Sequence, residues 1–375
     1  MSGPATGAVA FSLEEPDKAA LGALWRGLEA RADINFYLSW SWIGAWIEEA
    51  GMPDLVLVGR SEGEPVCLGL FRRGVQRRHG FVRSRTLCLH ETGDEAKDVI
   101  FIEYNGLLTD RRFGRLEPQA LAFLGKVGGF DEVQLGGFAE DRYEAVRAAG
   151  CRTHVHALKT TAFVDLEAIR AAGGDYLATI SSNTRYQIRR ALKIYEGRGP
   201  LRIQPARSVE EALNYFDAMG ALHERSWQQK SEGGAWRFPF LVAFHRRVIE
   251  TSFPEGGIEI VRVCCGETPI GYIHCLVRNG WFGSYLSGFA YESDNKVRPG
   301  LVSFYLYIEE KLKSGGEVFD FLAGDHRYKT SLGQPGPNMY WFRVQERRPQ
   351  LMLEAALRRV KQRLRALRRG AAQAS

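Results

Sequence analysis

Cysteine is sparse in this 375-residue chain, and its six copies, Cys67, Cys88, Cys151, Cys264, Cys265 and Cys275, are scattered. No Cys-x-x-Cys pair and no Cys/His spacing of a zinc site occurs. A disulfide framework, a structural metal and a tightly bound metal cofactor are therefore not expected, and reduced thiols in a cytosolic setting are. Long apolar runs are missing as well. The most apolar early stretch, Tyr37 to Ile47, falls far short of the ~20 residues a membrane span needs. Met1 to Ala10 shows no basic segment followed by an apolar one, so no secretion signal is expected. Nor is there a basic body. The formal net charge is +6, and Arg358, Arg359, Lys361, Arg363, Arg365, Arg368 and Arg369 alone outweigh it, leaving the rest near neutral. DNA is thus not an expected partner.

What is present is an ordinary globular composition, 45% hydrophobic and 25% charged, in a chain long enough for two cores. Helical periodicity runs over Pro16–Ala30 and Trp40–Ala50, where Trp42 and Trp46 fall on one face as core. Strand patterns flank the turn SEGE (54–59 and 65–71), and an equivalent pair flanks CCGET (258–263 and 269–277). GGFDEVQLGG (128–137) matches GGEVFDFLAG (315–324) in length and outline. Two copies of one α/β unit are expected, joined around Cys151 to Val164. The expected division is 1–155, 156–345, and a basic C-terminal helix over 346–375.

The second copy opens with SSNTRYQIRRALKIYEGRG. Its helix is capped from Ser181, Ser182 or Asn183 and carries Arg185, Arg189 and Lys193 along one face. A helix over 209–229 holding LHERSWQQK, an antiparallel meander (259–263, 271–277, 283–289) and a helix over 301–313 follow. The chain then reaches EVFDFLAGDHRYKTSLG, where Asp320 interrupts an apolar strand and Asp325, His326, Arg327, Tyr328 and Lys329 crowd the next loop. A buried carboxylate is costly unless paired, and a raised pKa makes it a better base. Its nearest candidate partners are His326, Arg327 and Lys329.

NTRYQIRRALK, LHERSW, PIGYIHCLV and RPGLVSFYLYIEE…FDFLAGDHRYK, in that order over about 181–329, resemble the GNAT acyltransferases, in the double-domain branch of FemAB-type and CelD-like proteins. FYLSWSWIGAWIEEAG carries the likeness more faintly in the first half. The resemblance implies an α/β (α+β) fold of two tandem GNAT-like domains. Each has a mixed, largely antiparallel central sheet flanked by helices, the first degenerate and the second active. It implies acyl-CoA as co-substrate. The thioester would lie along a splayed strand at 270–277, whose free N–H groups hold the oxyanion. The pyrophosphate would lie at a helix start formed by Val297, Arg298, Gly300, Leu301, Val302 and Ser303. Here the chain departs from the usual Gln/Arg-x-x-Gly-x-Gly/Ala loop, which leaves aminoacyl-tRNA open as the donor.

By the same resemblance Asp320 and Lys329 orient the acceptor, with Asp320 also a candidate base, set against a structural ion pair closing the strand end, and Tyr328 or Tyr285 protonates the leaving thiolate. His274 on the thioester strand is a second candidate base, set against simple packing. Arg185, Arg189, His223, Trp227 and His326 are candidate substrate contacts, and the bland reading of the helical ones is solvated or packed faces.

The leading expectation is an N-acyltransferase moving an acyl group, in first place acetyl, to an amine of a cell-envelope acceptor, first of all an exopolysaccharide amino sugar. Long-chain transfer to an amino lipid, FemAB-type aminoacyl transfer, and a non-catalytic regulator binding a nucleotide second messenger are the alternatives. FemAB-type enzymes carry a coiled-coil arm, and no long heptad stretch occurs between Ser181 and Gly333. Leu353, Leu357, Val360, Leu364 and Leu367 form one stripe among the seven basic residues. That pattern suits an anionic membrane surface on the cytoplasmic side, or a cyclic dinucleotide, against the alternative of a helix packed on the body.

Overall fold

The computed structural model describes residues 7–80, 82–228 and 234–360. Two sheets form. The first contains β1 (Ala10–Glu14), β2 (Leu55–Ser61), β3 (Glu64–Arg78), β4 (Val82–Leu89), β5 (Leu108–Thr109), β6 (Glu132–Ala139), β7 (Thr153–Lys159) and β15 (Met339–Gln345). Its order is β1-β2-β3-β4-β6-β15-β7, with β5 on β3. The second contains β8 (Ala162–Asp165), β9 (Leu201–Pro205), β10 (Ile258–Cys265), β11 (Thr268–Arg278), β12 (Trp281–Phe289), β13 (Val318–Asp320) and β14 (Gln334–Pro335), ordered β14-β8-β13-β12-β11-β10-β9.

The internal repeat is visible in the pairing. Each sheet is antiparallel except for one parallel pair, β4 with β6 in the first and β12 with β13 in the second. The two Gly-bounded segments supply the second member of each pair. The hairpins expected around SEGE and CCGET are β2–β3 and β10–β11. Helices follow the sequence pattern closely, at Lys18–Glu29, Trp40–Ala50, Ser182–Glu196, Val209–Gln228 and Pro299–Lys313. Ser181 caps the Ser182 helix by accepting from the Thr184 N–H at 3.2 Å.

The sheets do not respect the division at 155 and 345. β15, assigned by sequence to the second unit, lies between β6 and β7 of the first, while β8 completes the second. The chain thus crosses from the first sheet to the second after β7 and returns at β15. Packing also joins the halves. One core cluster holds Trp25, Trp42 and Trp46 from the first half together with Phe216, Phe244, Ile260 and Leu286 from the second. The helix Pro239–Ser252, which the sequence reading did not single out, lies against Trp40–Ala50 at this junction. Each large apolar side chain buried there contributes roughly 1.5–3 kcal/mol.

The basic tail reading falls partly outside the described residues. Within them, a helix over 349–360 buries Leu351 and Glu354, while Met352, Leu353, Leu357 and Val360 remain 49–55% exposed. Leu364, Leu367 and the basic residues from Lys361 onward lie beyond what is described. Among the described residues no helix is long and apolar enough to cross a membrane.

Candidate active site

Strands β12 and β13 pair only where Trp281–Gly283 lie beside Val318–Asp320. The chain then turns away at Leu322, which sits at a left-handed φ of 61°. From Ser284 onward β12 therefore has no strand neighbour on that side, and a gap opens. This places the splay on β12, one strand beyond the expected 270–277. That segment, in β11, is hydrogen-bonded along both edges, to β10 and to β12, so its amides are spent within the sheet.

Two cavities lie along the gap, and Tyr328 lines both. The smaller, about 310 Å³, is bounded by Arg298, Gly300 and Leu301 at the start of the Pro299 helix, by Asn183 and Gln187 of the Ser182 helix, and by Arg327. No side chain caps that helix start. Its first-turn N–H groups and two arginines make a favourable seat for an anion. The remaining three expected residues turn inward: Val297, Val302 and Ser303 are buried, the Ser303 hydroxyl without a partner.

The larger cavity, about 430 Å³, is lined by Ser284, Tyr285 and Ser287 of β12, by Lys329, His326 and His223, and by Glu103 and Lys159 from the first half. His223 receives the Ala235 N–H on Nε2 (3.3 Å), so its proton sits on Nδ1, 3.1 Å from the Ser287 carbonyl. The Tyr285 hydroxyl donates to the Ile100 carbonyl, tying the halves together. The Tyr328 hydroxyl is held protonated well above its usual range by burial.

Asp320 answers the anomaly in its strand differently from the sequence reading. It is buried and lines neither cavity. Its Oδ2 accepts from the Tyr104 hydroxyl and from Trp281 Nε1 (3.3 Å), and its Oδ1 from the Leu322 N–H (2.7 Å). Burial raises its pKa against these bonds. With both oxygens committed it anchors the Leu322 turn to the first half and is not exposed to an acceptor. Lys329 is not its hydrogen-bond partner. The ammonium donates to the carbonyls of Leu322 (3.2 Å) and Ala323 (2.8 Å), and burial lowers its pKa while Glu103 and Asp320 oppose the shift.

Glu103 is the residue the sequence reading missed. It is 6% exposed, accepts the Ala323 N–H at 2.7 Å, and faces the larger cavity. Burial pushes its carboxyl up to about 7, with the Ala323 N–H and the Lys329 and Lys159 charges pulling the other way. It arrives on the loop between Ile100 and Gly106. That loop lies tight on β6 because Gly137 (φ +67°) has no Cβ, and one there would collide with the Ile102 carbonyl. The available signal was the one that flagged Asp320, a lone acid in an apolar run, here FIEYNGLL.

Other expectations change with the structure. His274 is 0% exposed, neither ring nitrogen has a partner, and burial holds its pKa down to about 3. It packs 5.3 Å from the His245 ring in the core and has no access to a substrate. Arg185 donates to the Leu177 carbonyl (3.2 Å) and Arg189 is solvent-exposed; neither lines either cavity. The Trp227 side chain lies outside the described residues. Among those described, no cluster of metal-binding side chains occurs.

Residues 182–330 match the family model of the acetyltransferase (GNAT) domain. FemX is similar in structure, with a TM-score of 0.55 and 10% identity over 91% of this chain and 99% of that one. So are L-PGS from Bacillus licheniformis (0.52, 13%, 92% and 97%) and a conserved protein of unknown function from Bacteroides thetaiotaomicron (0.50, 11%, 90% and 100%). At these identities the likeness shows the two-unit fold. No curated protein sequence matches the chain. Residues 182–330 thus carry an acetyltransferase (GNAT) domain, and the chain around it has the two-unit, mixed α/β fold of those structures.

Proposed function

We propose that the chain transfers an acyl group, in first place acetyl, from a CoA thioester in the smaller cavity to an amine in the larger one. The observation that carries this is their meeting at Tyr328, beside the free edge of β12. The CoA pyrophosphate lies on the start of the Pro299 helix, near Arg298 and Arg327. The arriving ammonium loses a proton to Glu103. The nitrogen lone pair attacks the thioester carbonyl, whose oxygen is held by N–H groups of β12 past Gly283. The C–S bond breaks as Tyr328 gives its proton to the thiolate, the tyrosinate takes the remaining extra proton from the amide nitrogen, and Glu103 returns its proton to solvent. Asp320 and Lys329 position this group, Asp320 by fixing Tyr104 and the Leu322 turn, Lys329 by holding the 322–323 carbonyls.

The acceptor we favour is an amino sugar of envelope polysaccharide assembly. Long-chain amino lipids and aminoacyl transfer remain the competing readings. The test is thiol release from acyl-CoAs of graded chain length, with amino sugars and long-chain amines as acceptors. Amine-dependent release with acetyl-CoA supports the reading. Amine-independent behaviour together with tight binding of aminoacyl-tRNA overturns it.

The exposed Leu353, Leu357 and Val360, continued in sequence by five basic residues from Lys361 to Arg369, support docking of the tail on an anionic leaflet at the cytoplasmic face. Full-length protein then sediments with anionic liposomes at low salt and is released at high salt, while protein ending at Val360 binds far less. Equal binding by both forms removes the basic tail as the cause. A cyclic dinucleotide competing for the tail is the other polyanion to assay.

A further inference from the structure

The larger cavity presents a charge pattern that an amine acceptor without an anionic group does not explain. Lys159, at the end of β7, lines it with its ammonium 4.3 Å from the Phe101 ring centre and 5.1 Å from that of Trp341. Arg237, in the short turn Ala235–Arg237, lines it with its guanidinium 4.7 Å from the Phe238 ring. Elsewhere the chain commonly pairs its cations: Arg78 with Glu132 and Glu354, Arg112 with Asp110, Arg278 with Glu29. Among the described residues neither Lys159 nor Arg237 makes an ion pair at contact distance, although the Lys159 charge is felt at Glu103.

Lys329 adds its ammonium to the lining, and among the described residues Glu103 is the one carboxylate there. Asp325, the nearest exposed acid in sequence, lies outside the lining, and the Thr160 hydroxyl donates to it at 3.3 Å. An amine reaches the enzyme at neutral pH as an ammonium ion. Placed alone among these groups it meets net repulsion. An amine that also carries an anion brings its own counter-charge to the two unpaired cations.

We infer that the acceptor is an amine bearing an anionic group, phosphate or carboxylate, and that Lys159 and Arg237 hold that group while the nitrogen faces Glu103. The inference rests on the larger cavity being the acceptor side, and it narrows the acceptor class to anionic amines. The cations sit on aromatic faces, which fix their position and leave their N–H groups free to donate. The two come from different halves, so the anion bridges them and completes the site across the junction.

The test compares D-glucosamine, glucosamine 6-phosphate and 2-amino-2-deoxyglucuronate, which share one amine, with sphingosine as a long-chain amine lacking an anion. Equilibrium binding is measured by calorimetry, and kcat/KM by thiol release from acetyl-CoA. A charged probe should bind about 10- to 100-fold more tightly than glucosamine, as one or two charge-assisted contacts give. Lys159→Gln and Arg237→Gln should each remove most of that advantage and raise KM for the charged probes more than they lower kcat, so that charged and neutral probes converge. Phosphate and carboxylate arms tell which anion fits.

Thermal protection by CoA is the control, and it should be the same in wild type and both variants. If CoA protects but the charged and neutral probes bind alike, if no probe binds, or if sphingosine is preferred, the inference is overturned while the donor site stands. If CoA gives no protection, the reading of the donor site fails independently.

Discussion

At the scale of single residues, buried titratable groups carry the chemistry and the clearest tests. Glu103 must be ionised to accept a proton, and its carboxyl is raised to about 7. kcat/KM should therefore rise with pH through about 7 and level off above it. Glu103→Gln should lower kcat/KM about 10²-fold and abolish that acidic limb, the magnitude of a lost general base. An unchanged pH profile in the variant would remove Glu103 from the role.

His274 and His245 give a test of the opposite kind, of stability and not of rate. Burial depresses both, His274 to about 3. The unfolded chain takes up protons near pH 6.5 while the folded chain does not, so stability is lost as pH falls below that value. By linkage the loss is about 2 kcal/mol for His274 at pH 5, with His245 acting in the same direction. His274→Leu should flatten the fall in Tm between pH 7 and pH 5. Glu103 and Glu91, whose carboxyls are raised to about 7 and about 8, push stability the other way, so the comparison is of variant with wild type and not of the raw profile.

At the scale of elements, the splay of β12 from β13 and the start of the Pro299 helix make the donor site. Gly300 presents backbone to the smaller cavity and Arg298 presents charge. CoA at millimolar concentration should raise Tm by mass action. Arg298→Ala should weaken that shift several-fold, the loss of one charge-assisted contact, while leaving the Tm without CoA nearly unchanged. A full shift in Arg298→Ala would place the pyrophosphate elsewhere. Gly288 shows the same kind of dependence on the opposite face of β12. A Cβ there would collide with the Met219 carbonyl of the Val209–Gln228 helix, so that helix seats directly on the strand only because the side chain is missing.

At the scale of the whole molecule, the halves are interleaved and do not form a simple tandem. β15 returns to the first sheet, and a continuous core spans the junction. Protein ending at Asn338 should therefore lose the strand between β6 and β7 and with it cooperative folding of the first half, read as loss of the thermal transition or a fall in Tm of tens of degrees. Because Glu103, Tyr104 and Lys159 come from that half, any folded remainder should have no transferase activity. A truncated chain that melts and turns over normally would show that the first half is dispensable.

Local pattern sufficed wherever local chemistry decides the outcome. Apolar periodicity set the Trp40–Ala50 helix to the residue. Gly-Glu turns set both hairpins, Ser181 capped its helix, and the repeated Gly-bounded segments announced two units. Motif order pointed to the acetyltransferase domain and to Tyr328 and Lys329, which the structure places on the short helix Arg327–Leu332 and not in the expected loop. What local pattern did not contain is which distant segments meet. Whether a strand such as β11 has a neighbour on each edge depends on pairings across the sheet, so the splay was placed one strand early. Whether Asp320 and His274 face a cavity or a core depends on what packs over them, and here Tyr104 and His245 do. Glu103 reaches the second half only because the first half docks against it and Gly137 lets its loop lie flat. Register, docking and burial are sums over contacts far apart in the chain, and those sums, not the residues' own propensities, set the pKa values and the exposure on which the site depends.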